Sequence, residues 1–131
     1  MEYKMMENSF VTDLEFGQLE VSGNADYGFR PYQLLVSSVA VCSGGVLRKI
    51  LEKKRLSYKD IRIKADVKRN EAGANEVTDI HLHFTLFDVD ASDEKLGKIF
   101  ELTRKNCPIY QSVKDSIRIT ETYECMNQSA N

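Results

Sequence analysis

One stretch of the sequence is apolar on every side when it is read as a helix. Apolar or small side chains occupy every position from residue 34 to residue 47, LLVSSVAVCSGGVL. A helix that is apolar all round must be buried all round, because none of its faces suits water. Charged residues return only at Arg48 and beyond, so the C-terminal end of this helix is expected to reach solvent. The chain must therefore fold around a long central helix.

The sequence on both sides of this helix alternates in the manner of strands. Four residues near the N-terminus share one face at a period of two, and two more follow a glycine turn at Gly17: Phe10, Thr12, Leu14 and Phe16, then Leu19 and Val21. They predict a hairpin. Residues 61–67 and 80–86 predict a second, antiparallel hairpin, and residues 22–30 predict a loop that leads into the central helix at Pro31.

Two further helices are predicted in the C-terminal half. One helix is predicted to begin near Asp90 or Ser92 and to end near Asn106, with apolar residues at helical spacing. Pro108 suits the first turn of a short helix after it. A strand is predicted near residues 117–120, and the last residues, MNQSAN at 126–131, are expected to fray. This order predicts an α+β fold with mostly antiparallel sheets, in a single domain over residues 1–131.

The central helix also predicts the oligomeric state. A two-layer domain covers one side of a buried helix and leaves the other side open to water. A second copy of the chain is the simplest further layer. The sequence therefore predicts an obligate homodimer.

Composition restricts the partners and the compartment. The 18 basic and 20 acidic side chains leave a net charge of -2, so neither nucleic acid nor another polyanion is an expected partner. The N-terminus, MEYKMMENSF, lacks the basic and apolar regions of a secretion signal, and no later run reaches the roughly 18 apolar residues of a membrane span. We expect a soluble, cytoplasmic protein that does not contact a membrane.

Three cysteines do not form a disulfide framework, because their number is odd and the cytosol keeps structural thiols reduced. Cys42 is either a small buried hydrophobe or a working thiol. The neighbouring Gly44 and Gly45 favour more than packing, because each glycine costs a helix about 1 kcal/mol. They predict that either another helix or a ligand approaches the backbone closely there. Cys107 immediately precedes Pro108 and is expected at a helix N-terminus, where the dipole favours a thiolate.

Two segments around these cysteines resemble a known family. RPYQLLVSSVAVCSGGVLRKILEKK, residues 30–54, resembles the cysteine helix of the OsmC/Ohr family of thiol peroxidases. NCPIYQSVKDSIRI, residues 106–119, resembles the second-cysteine motif of that family. The spacing of 65 residues between the cysteines (107 minus 42), with a hairpin and a helix between them, also looks like the family pattern. The resemblance covers roughly residues 10 to 125.

The resemblance implies an OsmC-like fold, an intertwined homodimer and a peroxidase. Cys42 would be the peroxidatic thiolate that attacks an organic hydroperoxide, and Cys107 would be the resolving thiol that forms a disulfide with it. A dithiol, either a lipoyl group or a thioredoxin-like protein, would restore the reduced enzyme. No cofactor and no metal are implied. Cys125 matches nothing in the family pattern and is expected to be incidental.

The residues before Cys42 depart from the fuller family pattern. In one branch of the family a glutamate follows the motif proline and orients an upstream arginine; here Tyr32 takes that position, and Gln33 stands where another branch has glutamate. No arginine precedes Arg30, which is the local candidate for thiolate support by proximity. Tyr27 and Phe29 are candidates either for lining a substrate pocket or for anchoring their loop.

These departures keep a second functional hypothesis open. It is an OsmC-like dimer without efficient turnover, which binds a small apolar or electrophilic ligand or senses oxidants. The paired cysteines favour the peroxidase, since a simple binding protein needs no resolving thiol. His81 and His83 lie on one strand face, opposite the predicted core face, and an exposed or interface position is expected for both in preference to a metal site.

Overall fold

The structure is a computed structural model that describes residues 1–128. It contains two compact units, Met1–Ser37 and the residues from Ser38 onward. The central helix, α1, spans Pro31–Lys53, so it begins in the first unit and continues in the second. Its start at Pro31 confirms the predicted position of the proline in the first helical turn. The prediction of a single domain over residues 1–131 stays a prediction.

The first unit contains a small antiparallel sheet of three strands. The strands are β1 (Lys4–Met5), β2 (Phe10–Asp13) and β3 (Gln18–Val21), and they lie in that order. The predicted hairpin is confirmed as β2 and β3. Its turn takes four residues, 14–17, so Leu14 and Phe16 lie outside the strands and are exposed. The strand β1 was not predicted, because two residues are too few to show an alternation.

The second unit contains a larger sheet, two further helices and most of α1. The sheet has the order β4 (Asp60–Arg69), β5 (Val77–Phe87) and β6 (Arg118–Met126). The helices between β5 and β6 are α2 (Asp93–Asn106) and α3 (Pro108–Val113). Both helices and the β4–β5 hairpin were predicted. The α+β fold is therefore confirmed.

The pairing of β5 with β6 is parallel, whereas the other three strand pairs described are antiparallel. A parallel pair needs a crossover connection, which α2 and α3 supply here. The closing strand also runs to Met126, further than its apolar alternation predicted. Of the segment expected to fray, residues 126–128 are described, and residues 129–131 lie outside the described residues.

The core of the second unit lies between its sheet and α2. Alternate side chains of β5 are completely buried: Ile80, Leu82, Phe84 and Leu86. The ring of Phe100 from α2 packs edge-on against Phe84, with 5.0 Å between ring centroids, and stacks on Tyr123 of β6 at 4.6 Å. Ser92 caps α2 by accepting a hydrogen bond from the backbone N–H of Lys95. The ring contacts of Phe100 and the cap at Ser92 together hold α2 on the sheet. Cys107 follows the last residue of this helix.

The helix α1 is not buried all round by its own chain. Val39, Leu47 and Leu51 are completely buried, whereas Val41 is 70% exposed. One chain therefore covers only part of the helix surface, as expected of a two-layer domain, and burial of the other side by a second copy stays a prediction.

By length and composition alone, α1 could also cross a membrane. Uninterrupted apolar runs did not predict this, because only an average over the helix tolerates its serines. The burial of Val39, Leu47 and Leu51 inside the chain is the environment of a core helix.

Candidate two-cysteine site

The structure brings Cys42 and Cys107 together within one chain. Cys42 lies in the middle of α1, and Cys107 lies between α2 and α3, where it is the N-cap of α3. Each thiol is close enough to the other to share a hydrogen bond, and all three cysteines of the chain are free. Cys42 is half-buried, whereas Cys107 is completely buried. A small reactant can therefore approach the pair only from the side of Cys42.

The environment of Cys42 works against its ionisation. Burial raises the pKa of the Cys42 thiol above its ordinary value. The backbone N–H of Ile109, in the first turn of α3, donates a hydrogen bond to the sulfur and lowers the pKa, and the neighbouring Cys107 raises it. The net direction is upward. In the single chain, Cys42 is therefore mostly a neutral thiol at pH 7.

Two donors hold the sulfur of Cys107 in place. The backbone N–H of Tyr110 lies 3.4 Å from it, as expected for a side chain that caps the start of α3. The hydroxyl of Ser43, the residue after Cys42 on α1, donates to the same sulfur at 3.6 Å. Ser43 itself is only 1% exposed. The site thus consists of two sulfurs with hydrogen-bond donors from α1 and α3.

Sequence reasoning identified the two cysteines but not their partners. Ser43 has no signal of its own, since a serine in an apolar helix is as easily explained by local bonding to the backbone. The N–H groups of Ile109 and Tyr110 belong to the backbone and leave no trace in the residue types. The proline after Cys107 was the useful signal, because it placed a helix N-terminus beside that sulfur.

The two glycines beside the site have different surroundings. A Cβ atom on Gly44 would come within 2.7 Å of the side-chain end of Ile63 on β4. The group that approaches Gly44 is therefore a side chain of a strand, and not the helix or the ligand that was expected. A Cβ atom on Gly45 would meet nothing within 4 Å.

The other candidate site residues belong to the first unit. The guanidinium of Arg30 lies over the ring of Tyr32, 4.8 Å from the ring centroid, in a cation–π contact. Gln33 is exposed, and its backbone N–H donates to Arg30. Tyr27 and Phe29 are exposed side chains, and the backbone of Phe29 pairs with the end of β3, which anchors the loop. Thiolate support by Arg30 and a pocket lined by these residues stay predictions.

The two histidines lie on the sheet face opposite the core, as predicted. The ring nitrogens of His81 bond to Thr120 and Thr122 of β6 at 2.7 and 3.0 Å, and those of His83 bond to Thr122 and Glu124 at 2.7 and 3.1 Å. Every ring nitrogen thus already has a partner within the sheet. Within residues 1–128, no group of three or more possible ligands is arranged to hold a metal ion.

Cys125 lies apart from the other two cysteines. It is exposed on β6, and Asp93 at the start of α2 is near enough to raise its thiol pKa after the larger effect of partial burial. Cys107 follows the opposite end of α2, so the length of that helix, about 20 Å, separates the two sites. Cys125 is therefore no partner for Cys107 in this fold.

These features describe an α+β protein with a two-cysteine site. The model of the OsmC-like protein family matches residues 23–122, which include both cysteines of the site. The chain belongs to the OsmC-like protein family.

Solved structures share the fold along nearly the whole chain. A hypothetical protein from Aquifex aeolicus VF5 is 25% identical, with a TM-score of 0.84 over 97% of this chain and 95% of that chain. The OsmC like protein from Mycoplasma pneumoniae is 15% identical, with a TM-score of 0.80 over 96% and 98%. The organic hydroperoxide resistance protein OhrB of Bacillus subtilis is 15% identical, with a TM-score of 0.62 over 95% and 98%. A search of curated proteins gives no match.

Proposed function

We propose that this protein is a thiol-dependent peroxidase that reduces organic hydroperoxides, with Cys42 as the peroxidatic residue and Cys107 as the resolving residue. The observation that carries the proposal is the contact between these two thiols within one chain. Membership of the OsmC-like family supports the same chemistry, as does the fold shared with a protein named for organic hydroperoxide resistance.

The proposed reaction has two steps at the cysteine pair. The Cys42 thiolate attacks the distal oxygen of the hydroperoxide, the O–O bond breaks, and the leaving alkoxide takes a proton to become the alcohol. Cys42 is left as a sulfenic acid. The thiol of Cys107 then attacks that sulfur, an S–S bond replaces the S–O bond, and the hydroxyl leaves as water with the thiol proton. A dithiol, lipoyl or thioredoxin-like, reduces the disulfide by exchange.

The position of the thiols suits an organic substrate. Cys42 is half-buried on an apolar stretch of helix, with Val41 and Val46 as near neighbours in the sequence. An apolar approach favours an alkyl or aryl hydroperoxide over hydrogen peroxide, because the organic group gains from leaving water.

Mass spectrometry of the oxidised protein tests the proposal directly. One equivalent of cumene hydroperoxide is added to the reduced protein, and the intact mass and peptides are compared for the wild type, Cys42→Ser and Cys107→Ser. We expect the wild type to lose two hydrogens and to yield a linked Cys42–Cys107 peptide. Cys107→Ser should trap a sulfenic acid on Cys42, and Cys42→Ser should remain reduced.

Cys125→Ser is the matched control and should behave as the wild type, since Cys125 lies beyond the far end of α2. Because burial raises the pKa of Cys42, the rate of its oxidation should increase as the pH rises above 7 and the thiolate fraction grows. Absence of rapid oxidation in the wild type, or oxidation centred on Cys125, would contradict the proposed function.

One observation favours a second candidate function. The raised pKa of Cys42 leaves little thiolate at pH 7, which suits a protein that binds a small apolar or electrophilic ligand, or senses oxidants, without efficient turnover. Steady-state turnover of cumene hydroperoxide with a dithiol separates the two functions. A negligible rate with a Cys42 that still reacts once would favour the binding or sensing protein.

We also propose that the working form is a cytoplasmic homodimer. The exposed Val41 and the open space beside Gly45 lie one turn apart on α1, so both face the same side of that helix. A large apolar side chain next to a glycine makes a surface on which a second copy can approach closely. The cytoplasm is the compartment that keeps a thiol pair reduced and supplies dithiols.

A further inference from the structure

The last turn of α2 is bonded to the sheet by a buried ion pair. The guanidinium of Arg104 donates a hydrogen bond to the carboxylate of Glu121 on β6, with 2.8 Å between nitrogen and oxygen. The side chain of Glu121 is 5% exposed. In the part of the chain that the structure describes, its other carboxylate oxygen is buried and accepts no hydrogen bond. The pair therefore leaves one buried oxygen unsatisfied.

A pair of this kind is a poor source of stability. Removing a carboxylate and a guanidinium from water costs free energy, and their attraction offsets that cost only when the remaining polar atoms also find partners. Apolar side chains of similar volume in place of a buried ion pair are often neutral or stabilising. The bond has one property that apolar contacts lack, because it is directional and fixes one position of the helix over one position of the strand.

Arg104 is also bonded to α3. The side-chain amide of Gln111 donates to the backbone carbonyl of Arg104 at 2.9 Å. This bond spans the corner between the two helices, where Cys107 both ends α2 and caps α3. Arg104 thus links β6, α2 and α3 about one helical turn before the sulfur that contacts Cys42.

We propose that Arg104 and its two bonding partners are positioning residues, which hold Cys107 in place for a disulfide with Cys42. A disulfide forms only within a narrow range of distances and directions between its two residues. A small displacement of the corner would therefore lower the effective concentration of one thiol at the other. The role in turnover rests on the proposed function, whereas the effect on the disulfide equilibrium does not.

The first measurement follows that equilibrium without any peroxide. The full chain with Cys125→Ser is equilibrated with reduced and oxidised dithiothreitol, and the linked fraction is measured by mass spectrometry after alkylation. As the two protein thiols form an S–S bond, their two hydrogens pass to the dithiothreitol disulfide, which is reduced to the dithiol. Adding Arg104→Met and Glu121→Leu together should lower the equilibrium constant about tenfold, which is about 30 mV in reduction potential. The free energy of unfolding of the reduced protein should stay the same or increase.

Tyr123→Phe is the matched control, because Tyr123 is bonded to the other end of α2. Its hydroxyl donates to the carboxylate of Asp93 at 2.9 Å, and phenylalanine keeps the ring that stacks on Phe100. The control should leave the equilibrium constant unchanged. An unchanged constant in the double variant, or an equal decrease in Tyr123→Phe, would overturn the proposal.

Gln111→Ala tests the same proposal without changing the buried pair, so it also applies if the double variant does not fold. Gln111 is exposed, and the loss of its bond to Arg104 should lower the equilibrium constant about threefold. Ser112→Ala, which loses a bond within α3, should leave the constant unchanged. Equal constants in these two variants would refute the positioning role.

The second measurement follows the proposed reaction. After one equivalent of cumene hydroperoxide, the double variant should form the Cys42 sulfenic acid at the wild-type rate. In the next step the Cys107 sulfur displaces the hydroxyl, which leaves as water with the thiol proton, and this step should be about tenfold slower. A wild-type rate of this step would also overturn the proposal. A lowered equilibrium constant in a protein that does not react with hydroperoxide would refute the proposed function and leave the positioning role intact.

Discussion

At the scale of single residues, the sequence identified the reactive atoms but not what surrounds them. Cys42 and Cys107 could be paired in advance only through a family resemblance, since nothing in their spacing of 65 positions requires contact. Ser43 and the N–H of Ile109 escaped prediction because their role depends on distances across the fold. The raised pKa of Cys42 likewise comes from burial, which a helical pattern indicates only for a whole face.

A buried ion pair beside the site was also invisible in the sequence. Arg104 of α2 donates to Glu121 of β6 at 2.8 Å, and the side chain of Glu121 is 5% exposed. Its second carboxylate oxygen is buried and has no hydrogen-bond partner among residues 1–128. Burial raises the pKa of Glu121, and the bond to Arg104 opposes that effect only in part. The folded protein therefore buries a carboxylate whose loss of hydration is only partly compensated by Arg104.

This carboxylate predicts a pH dependence of stability. Since the pKa of Glu121 is higher in the folded than in the unfolded chain, the folded state binds the proton more tightly, and stability decreases as the pH rises from the ordinary glutamate range through the folded pKa. Glutamine does not ionise, so Glu121→Gln does not lose stability in this way as the pH rises. We therefore expect the free energy of unfolding of Glu121→Gln, relative to the wild type, to increase from pH 4 to pH 7 in urea titrations.

Glu124→Gln on the same strand is the matched control. The hydrogen bond from His83 lowers the pKa of Glu124, so this exposed residue contributes stability above the ordinary glutamate range and loses it as the pH falls. Relative to the wild type, the free energy of unfolding of Glu124→Gln should therefore decrease from pH 4 to pH 7 or stay constant. The same sign of change in both variants would refute the assignment to Glu121.

At the scale of the elements, hydrophobic periodicity was enough to predict both longer helices and the β4–β5 hairpin. These segments are long, and their partners are close in sequence. The parallel contact of β5 with β6 was missed because 30 residues, 88–117, lie between the two strands, and no local pattern encodes such a pairing. The strand β1 was missed because its two residues are too few to show an alternation.

The predicted start of α2 can be tested by its cap. Ser92 accepts the backbone N–H of Lys95 at 3.2 Å, and Ser92→Ala leaves that donor without its partner. We expect a loss of about 1 kcal/mol in the free energy of unfolding, measured in urea. Ser57→Ala, a nearby exposed serine outside any helix, is the control and should change stability by less than about 0.5 kcal/mol. Equal effects would contradict a capping role.

At the scale of the whole molecule, the single chain leaves apolar surface without cover. Large side chains are exposed in both units, among them Met5, Phe10 and Phe16 in the first and Val41 in the second. The sequence predicted such exposed apolar surface on α1, because one two-layer domain cannot bury an all-apolar helix on every side. The exposed side of α1 at Val41 is the surface on which we propose that a second copy of the chain packs.

The variant Val41→Glu tests whether a second copy covers that surface. Because Val41 is 70% exposed, a glutamate there should leave the folded single chain intact, whereas in a dimer interface it would bury a charge. We expect the wild type to sediment as a dimer at micromolar concentration and Val41→Glu to dissociate. Lys98→Glu, at an exposed position of α2, should remain dimeric. A stable, folded wild-type monomer would contradict the proposed homodimer.

The contact between Cys42 and Cys107 has a mechanical consequence for the protein. A covalent bond there would tie the middle of α1 to the start of α3 and close a loop that contains β4, β5 and α2. A cross-link over 65 positions removes so many conformations from the unfolded chain that about 4 kcal/mol of unfolding free energy would separate the linked form from the open one. Each turnover would then form and break a cross-link across half of the chain. The resistance of that half to proteases would therefore depend on the ratio of oxidised to reduced protein.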